Sequence, residues 1–262
     1  MWKYEAIEAK AVFVIVHGAG EYHVRYNWVV EQLTNLRYHV ILGDLPGQGT
    51  TKGPSGHINS FNDYIDNVTK WLREAKQYGL PVILLAHSMG GLISIHTLMK
   101  LHEKDLPDAV ILSSPCLGLV NDPPVSKKLM ASILNVAAPR FRFPSGLAPG
   151  SGTRSEEMRQ RDAADPLLVK KVSARWYTEL VKAMKQAHER TDAFPDIPVL
   201  VSQGGTDLIV NKERGRSWFD KLPVSNKYYK EWEGLYHEVL NEPEQDRVFA
   251  HMLGFVTLNI SC

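Results

Sequence analysis

Cysteine is scarce in this chain. Its two examples, Cys116 and the terminal Cys262, are too few and too far apart for a disulfide framework or a zinc-ligand spacing, and a reducing compartment fits best. An excess of one charge is missing as well: 30 basic against 29 acidic side chains leave +1, so no long-range field points to nucleic acid or anionic lipid as a partner. No apolar run approaches the roughly 20 residues needed to span a bilayer. The first run, 11–16, is short, carries no small-residue cleavage pattern and leads straight into His17-Gly18, unlike a secretory signal. The expected location is the cytoplasm, with peripheral, transient contact with membranes. Internal repeats and low-complexity tracts are absent, as are the Gly-x-Gly-x-x-Gly and Gly-x-x-x-x-Gly-Lys-Ser/Thr loops of nucleotide sites.

What is present is an ordinary globular composition, 44% apolar and 23% charged, in a length that suits one α/β domain with an insertion. Short aliphatic runs recur at 12–16, 39–42, 82–85, 109–112, 198–201 and 227–231, and the first five read as strands buried on both faces. Helical periods lie between several of them. The clearest covers 60–78, with Phe61, Ile65, Val68, Leu72 and Ala75 on one stripe, Ser60 and Asp63 as a capping box, and Gly79 and Pro81 as stops. Alternation of this kind predicts a mostly parallel sheet of six to eight strands with helices on both faces. Ligands then sit at the carboxyl ends of the strands.

Residues 117–194 break the alternation: they hold no good strand, but Pro/Gly-rich stretches and at least two amphipathic patterns. We therefore expect a core of 1–116 and 195–262 and a helical cap inserted at 117–194. The best helix of the cap is expected to start with Asp165 as N-cap and Pro166 at its first position, followed by Leu168, Val172, Trp176, Leu180, Ala183 and Ala187. That apolar stripe covers a site, packs the insertion onto the body, or does both.

The run 82–85 leads into Ala86-His87-Ser88-Met89-Gly90-Gly91, and Leu92, Ile95, Leu98 and Met99 continue at helical spacing. A strand, a tight turn and a helix in that order expose a serine Oγ and direct backbone N–H groups at a developing oxyanion. Ala86 stands where glycine is usual, which the turn tolerates only if that residue needs no positive φ. Alone, Ser88 reads first as a helix N-cap. The rest of a triad follows in the required order of serine, acid, histidine. Asp207 lies on a loop past the strand 198–201, whereas Asp192 and Asp196 precede that strand; beside two glycines, Asp207 alone would be a turn residue. Of the ten histidines only His237 and His251 follow Asp207, and His251 falls within a terminal helical pattern, so the order selects His237, which singly would be a surface residue. After the first strand, His17-Gly18-Ala19-Gly20-Glu21 supplies a second loop, so the N–H groups of Ala19 and Met89 are the expected oxyanion donors.

These motifs, together with Arg25-Tyr26, Asp44-Leu45-Pro46-Gly47-Gln48-Gly49, Gly56-His57-Ile58-Asn59-Ser60-Phe61 with Asp63-Tyr64, Ser113-Ser114-Pro115, Arg175-Trp176-Tyr177 and Glu233-Gly234-Leu235-Tyr236-His237-Glu238, resemble the monoacylglycerol lipase and lysophospholipase family of α/β-hydrolases, in particular its bacillus-type phospholipases. The resemblance implies the α/β-hydrolase fold, the triad Ser88, Asp207 and His237, Ala19 and Met89 as oxyanion donors, and a cap with an apolar acyl channel. It also brings Glu21 and Arg25 near the polar end of the substrate, unless they form a structural ion pair below the oxyanion loop. Gln48 departs from the histidine common in Asp-x-x-Gly-His-Gly. The expected reaction is hydrolysis of acylglycerol or lysophospholipid esters through an acyl-enzyme, with no metal or organic cofactor. Acyl transfer or thioester cleavage on the same triad, or a non-catalytic binding protein, are the alternatives.

Overall fold

The computed structural model describes residues 1–121 and 124–260, so Cys262 lies outside the described residues. In chain order the elements are β1 (Trp2–Tyr4), β2 (Ala11–Val16), α1 (Asn27–Asn35), β3 (Tyr38–Leu42), α2 (Asn62–Lys76), β4 (Val82–His87), α3 (Met89–Leu98) and β5 (Ala109–Ser113). They continue as α4 (Val125–Ala137), β6 (Arg142–Pro144), α5 (Glu156–Ala164), β7 (Lys171–Ser173), α6 (Ala174–Glu189), β8 (Val199–Gly204), α7 (Lys212–Asp220), β9 (Lys227–Trp232) and α8 (Gln245–Asn259).

Seven strands form one sheet in the order β1-β3-β2-β4-β5-β8-β9, parallel throughout except for β1. The six aliphatic runs supply its parallel strands, and the strand count falls inside the expected six to eight. Because side chains alternate across a strand, β2 divides its residues between two cores: Val12, Val14 and Val16 join the layer of α2, α3, α6 and α7, while Ala11, Phe13 and Ile15 face α1 and α8. Each such aliphatic residue contributes about 1.5–3 kcal/mol on full burial. Helix α3 is buried at all ten positions, which explains why its sequence is apolar on every side rather than striped. The α2 stripe is buried as expected, and Asp63 Oδ2 accepts from the Ser60 N–H at 3.1 Å. The serine half of the box differs, since Ser60 Oγ accepts from Asn62 N at 3.2 Å instead of the third residue of the helix.

Two expectations for the insertion are corrected. It does contain strands, β6 and β7, which pair antiparallel with Phe143 opposite Val172. The long helix begins at Ala174 and not at Pro166, capped by Ser173, whose Oγ accepts from Trp176 N at 3.1 Å. Pairing with β6 holds Val172 extended, and Asp165 ends α5, its Oδ2 accepting from Tyr22 Oη at 2.6 Å. From Trp176 onward the predicted stripe is buried, through Leu180, Ala183 and Ala187.

Segment 151–169 lies against two loops at the carboxyl edge of the sheet. Val169 N donates to Gly20 O at 3.0 Å and Glu238 N to Gly152 O at 2.8 Å, while Thr153 Oγ1 donates to Asn241 O at 2.7 Å.

Candidate active site

Ser88 sits between β4 and α3 at φ +53°, ψ −118°, a left-handed conformation that costs a side-chain-bearing residue about 1–3 kcal/mol. The strain is held by neighbours that cannot yield. Ser88 N donates to Ser113 O at 2.9 Å, and Leu92 N to Ser88 O at 3.2 Å. Glycine is required two residues on, because a Cβ at Gly90 would stand 2.4 Å from Val16 O and 2.5 Å from His17 O. Ala86 has no positive φ, so its extra methyl group is accommodated within β4. Ser88 makes no side-chain cap for α3; instead its Oγ lies 2.8 Å from His237 Nε2.

His237 follows β9 on a loop, 3% exposed, with Nδ1 2.7 Å from Asp207 Oδ2. Asp207 follows β8, and its carboxylate is further fixed by Ile209 N at 2.8 Å, Val210 N at 2.9 Å and Gln203 Nε2 at 3.0 Å. Burial would raise the Asp207 carboxyl, but the His237 imidazole and the two backbone donors hold it below the usual carboxylate range. Burial would lower His237, and the Asp207 carboxylate overcomes this and raises it. The three side chains expected as a triad are thus brought into one hydrogen-bonded line. Asp196 lies elsewhere, bonded to Ser225, and His251 on α8 packs its ring 5.5 Å from that of Trp232.

The loop after β2 lies directly against the serine: a Cβ at Gly18 would be 3.1 Å from Ser88 Cβ. Met89 is the first residue of α3, so its N–H has no acceptor within the helix. The Ala19 N–H is likewise unpaired among the described residues, although both of its neighbours are bonded to side chains. Two backbone donors therefore flank Ser88 with nothing to satisfy them, an arrangement that can receive negative charge on an oxygen bonded to the carbon that Ser88 attacks.

Glu21 and Arg25 are 8% and 7% exposed, and their polar atoms face inward. Glu21 Oε2 accepts from Gly18 N at 3.2 Å and Tyr26 Oη at 2.9 Å, and Oε1 lies 3.6 Å from His87 Nε2. Arg25 pairs with Asp162 on α5 and with Glu238 at 2.6 Å, the residue after His237. Burial pushes His87 down to about 4, so it is neutral at pH 7, with its ring 4.7 Å from that of His237. A cavity of about 20 Å³, room for one water, opens among Arg25, His87, Ser113, Glu238 and Asn241. Sequence reading missed Gln203, His87 and Glu238 as neighbours of the triad. Adjacency to Ser88 and His237 was the available signal for the last two, and Gln203 carried none. Among the described residues, no group of three or more His, Cys, Asp or Glu side chains is placed to hold a metal ion, and no helix is long and apolar enough to cross a membrane.

A family model described as serine aminopeptidase, S33, matches residues 7–244. The chain is 47% identical over 255 residues to phospholipase YtpA of Bacillus subtilis, covering 97% of this chain and 98% of that one. It is 30% identical to lysophospholipase L2 of Escherichia coli, over 95% of this chain and 80% of the relative. The crystal structure of Paleococcus ferrophilus monoacylglycerol lipase superimposes with a TM-score of 0.89 at 27% identity, covering 98% of each chain.

Proposed function

The chain belongs to the serine aminopeptidase S33 family of α/β-hydrolases and is a carboxylic ester hydrolase, and we propose that it cleaves the acyl ester of monoacylglycerols or lysophospholipids through an acyl-enzyme on Ser88. His237, oriented by Asp207, takes the Ser88 proton as Oγ attacks the ester carbonyl. The N–H groups of Ala19 and Met89 receive the oxyanion, the alcohol leaves with the proton from His237, and water activated by the same histidine releases the fatty acid. The observation that carries this reading is the continuous line from Ser88 Oγ to His237 at 2.8 Å and on to Asp207 at 2.7 Å, with the side chain of the strained serine making no cap for its own helix.

The relatives named above act, by their names, on phospholipids, lysophospholipids and monoacylglycerols; a fatty acyl ester on a glycerol carbon is common to all three. Residues 117–194 form the cap in this reading, over a core of 1–116 and 195–262. Helix α4 supports transient membrane contact: Leu129, Met130, Ile133 and Val136 are 61%, 57%, 53% and 84% exposed. Labelling of Ser88 by a fluorophosphonate, combined with a hydrolysis profile across acyl length and head group, tests the reading. Unlabelled Ser88, or hydrolysis that ignores the acyl chain, would refute it.

A further inference from the structure

Three successive N–H groups in the loop after β2 meet different fates. Gly18 N donates to Glu21 Oε2 at 3.2 Å and Gly20 N to Gln48 Oε1 at 2.8 Å, which leaves Ala19 between them unspent. The peptide that follows is held as well, since Gly20 O accepts from Val169 N at 3.0 Å. Gly20 itself lies at φ +81°, where only glycine is unstrained. The peptide that carries the Ala19 N–H is itself held through Gly18 O, which accepts from His17 Nδ1 at 2.8 Å; without the Gln48 bond the next peptide could rotate and draw that N–H off line.

Gln48 reaches this point from the loop after β3 and is 1% exposed. That loop is rigid: Gln48 N donates to Leu45 O at 2.9 Å, and a Cβ at Gly47 would stand 2.5 Å from His57 O. Because Gly20 N is a donor, the carboxamide must present its oxygen there, which fixes the orientation of the amide. Its Nε2 is then directed away from Gly20, buried and facing the Tyr64 hydroxyl without a well-formed hydrogen bond. Tyr64 lies alongside the carboxamide, and its hydroxyl accepts from Trp176 Nε1 at 2.8 Å. Burial would raise the carboxyl of Glu21, on the opposite flank, but the Arg25 guanidinium and the Tyr26 hydroxyl that donates to it hold it below the usual carboxylate range, so its oxygen remains an acceptor for Gly18 N.

We propose that Gln48 is a positioning residue for the oxyanion donor: its carboxamide oxygen pins the Gly20 peptide so that the Ala19 N–H alone stays free and aimed at the oxygen beside Ser88. The Tyr64 and Trp176 side chains on its far side connect this anchor to α6 of the insertion. The proposal rests on the assignment of Ala19 as a donor.

Gln48→Met keeps the shape and removes the acceptor; Gln48→Glu keeps an acceptor oxygen in either protonation state. In Gln48→Met we expect kcat to fall about 10- to 100-fold, short of the full loss of a donor, with KM within about twofold. Gln48→Glu should stay within about threefold of the unaltered enzyme. A purely structural residue would lower the melting temperature of both variants and leave kcat per folded molecule unchanged. In parallel, the ¹⁵N–¹H resonance of Ala19 is followed on binding of an alkyl boronic acid to Ser88. If it does not move in the unaltered enzyme, the donor assignment fails and the proposal with it. If it moves, yet Gln48→Met turns over normally or Gln48→Glu is as slow as Gln48→Met, the positioning role alone is overturned.

Discussion

His237 Nε2 lies 2.8 Å from Ser88 Oγ although 149 residues separate them, and the contact exists only because β4 and β9 end on the same edge of the sheet. Replacing Ser88 with Ala removes the nucleophile and leaves the core untouched. Ester hydrolysis should fall by about 10⁴-fold or more while the melting temperature stays within a few degrees or rises, because alanine still occupies the strained backbone position. Mass spectrometry after fluorophosphonate treatment should find no adduct. An adduct on another residue would move the nucleophile elsewhere.

The Asp207 carboxylate raises His237 above its ordinary value of 6.5, and a general base works only when neutral. Activity is therefore lost as pH falls through the His237 pKa, and the acid limb of kcat/KM should have its midpoint above 6.5. Asp207→Asn should lower kcat by about 10⁴-fold and move that limb to lower pH. His87, near 4, is already neutral throughout this range and does not contribute to the limb. A limb that Asp207→Asn leaves in place would assign the titration to a different group.

Gly90→Ala should be far more damaging than its single added methyl group suggests. The contacts at 2.4 and 2.5 Å are with backbone carbonyls of β2 and the loop after it, which cannot rotate away as a side chain could. We expect a loss of about 1–3 kcal/mol by urea denaturation, together with a large fall in kcat as α3 and the Met89 N–H are displaced. Normal turnover would mean that the helix tolerates a shift away from the strand.

Arg25 is buried between two carboxylates on different parts of the chain. Burial raises the Glu238 carboxyl, and Arg25 is the charge that counters this. Arg25→Met strands Asp162 and Glu238 and should cost about 3–5 kcal/mol of folding stability. The triple change with Asp162→Asn and Glu238→Gln should recover part of that, because two of the carboxylates that Arg25 faced are then uncharged and only Glu21 still lacks its cation. If Arg25→Met instead changed only KM, the guanidinium would belong to the substrate.

Ile133→Asp with Val136→Asp should weaken sedimentation with phospholipid vesicles about tenfold or more while leaving hydrolysis of a soluble short-chain ester unaltered. Unchanged vesicle binding would remove α4 as the contact.

The parallel strands and the triad were legible because each depended on local pattern plus chain order. Val12 through Val16 could only be a strand buried on both faces, and a histidine after the last strand had one competitor. The insertion was less legible for physical reasons. β6 and β7 are three residues each, and β6 ends on Pro144, so neither carries a period long enough to read; their pairing comes from contact across about thirty residues of chain. The start of α6 was misjudged because Asp165-Pro166 has good capping chemistry, and only the register with Arg142 to Pro144 shows why the helix waits for Ser173. Gln48 read as a mere departure from a motif, since its partner, the Gly20 N–H, is a backbone group with no signature in sequence.

The bonds from segment 151–169 to Gly20 and to the loop that carries His237 also bear on how such a chain diversifies. An insertion of this kind is not a detachable module: exchanging all of it between relatives would remove anchors from both loops that border Ser88.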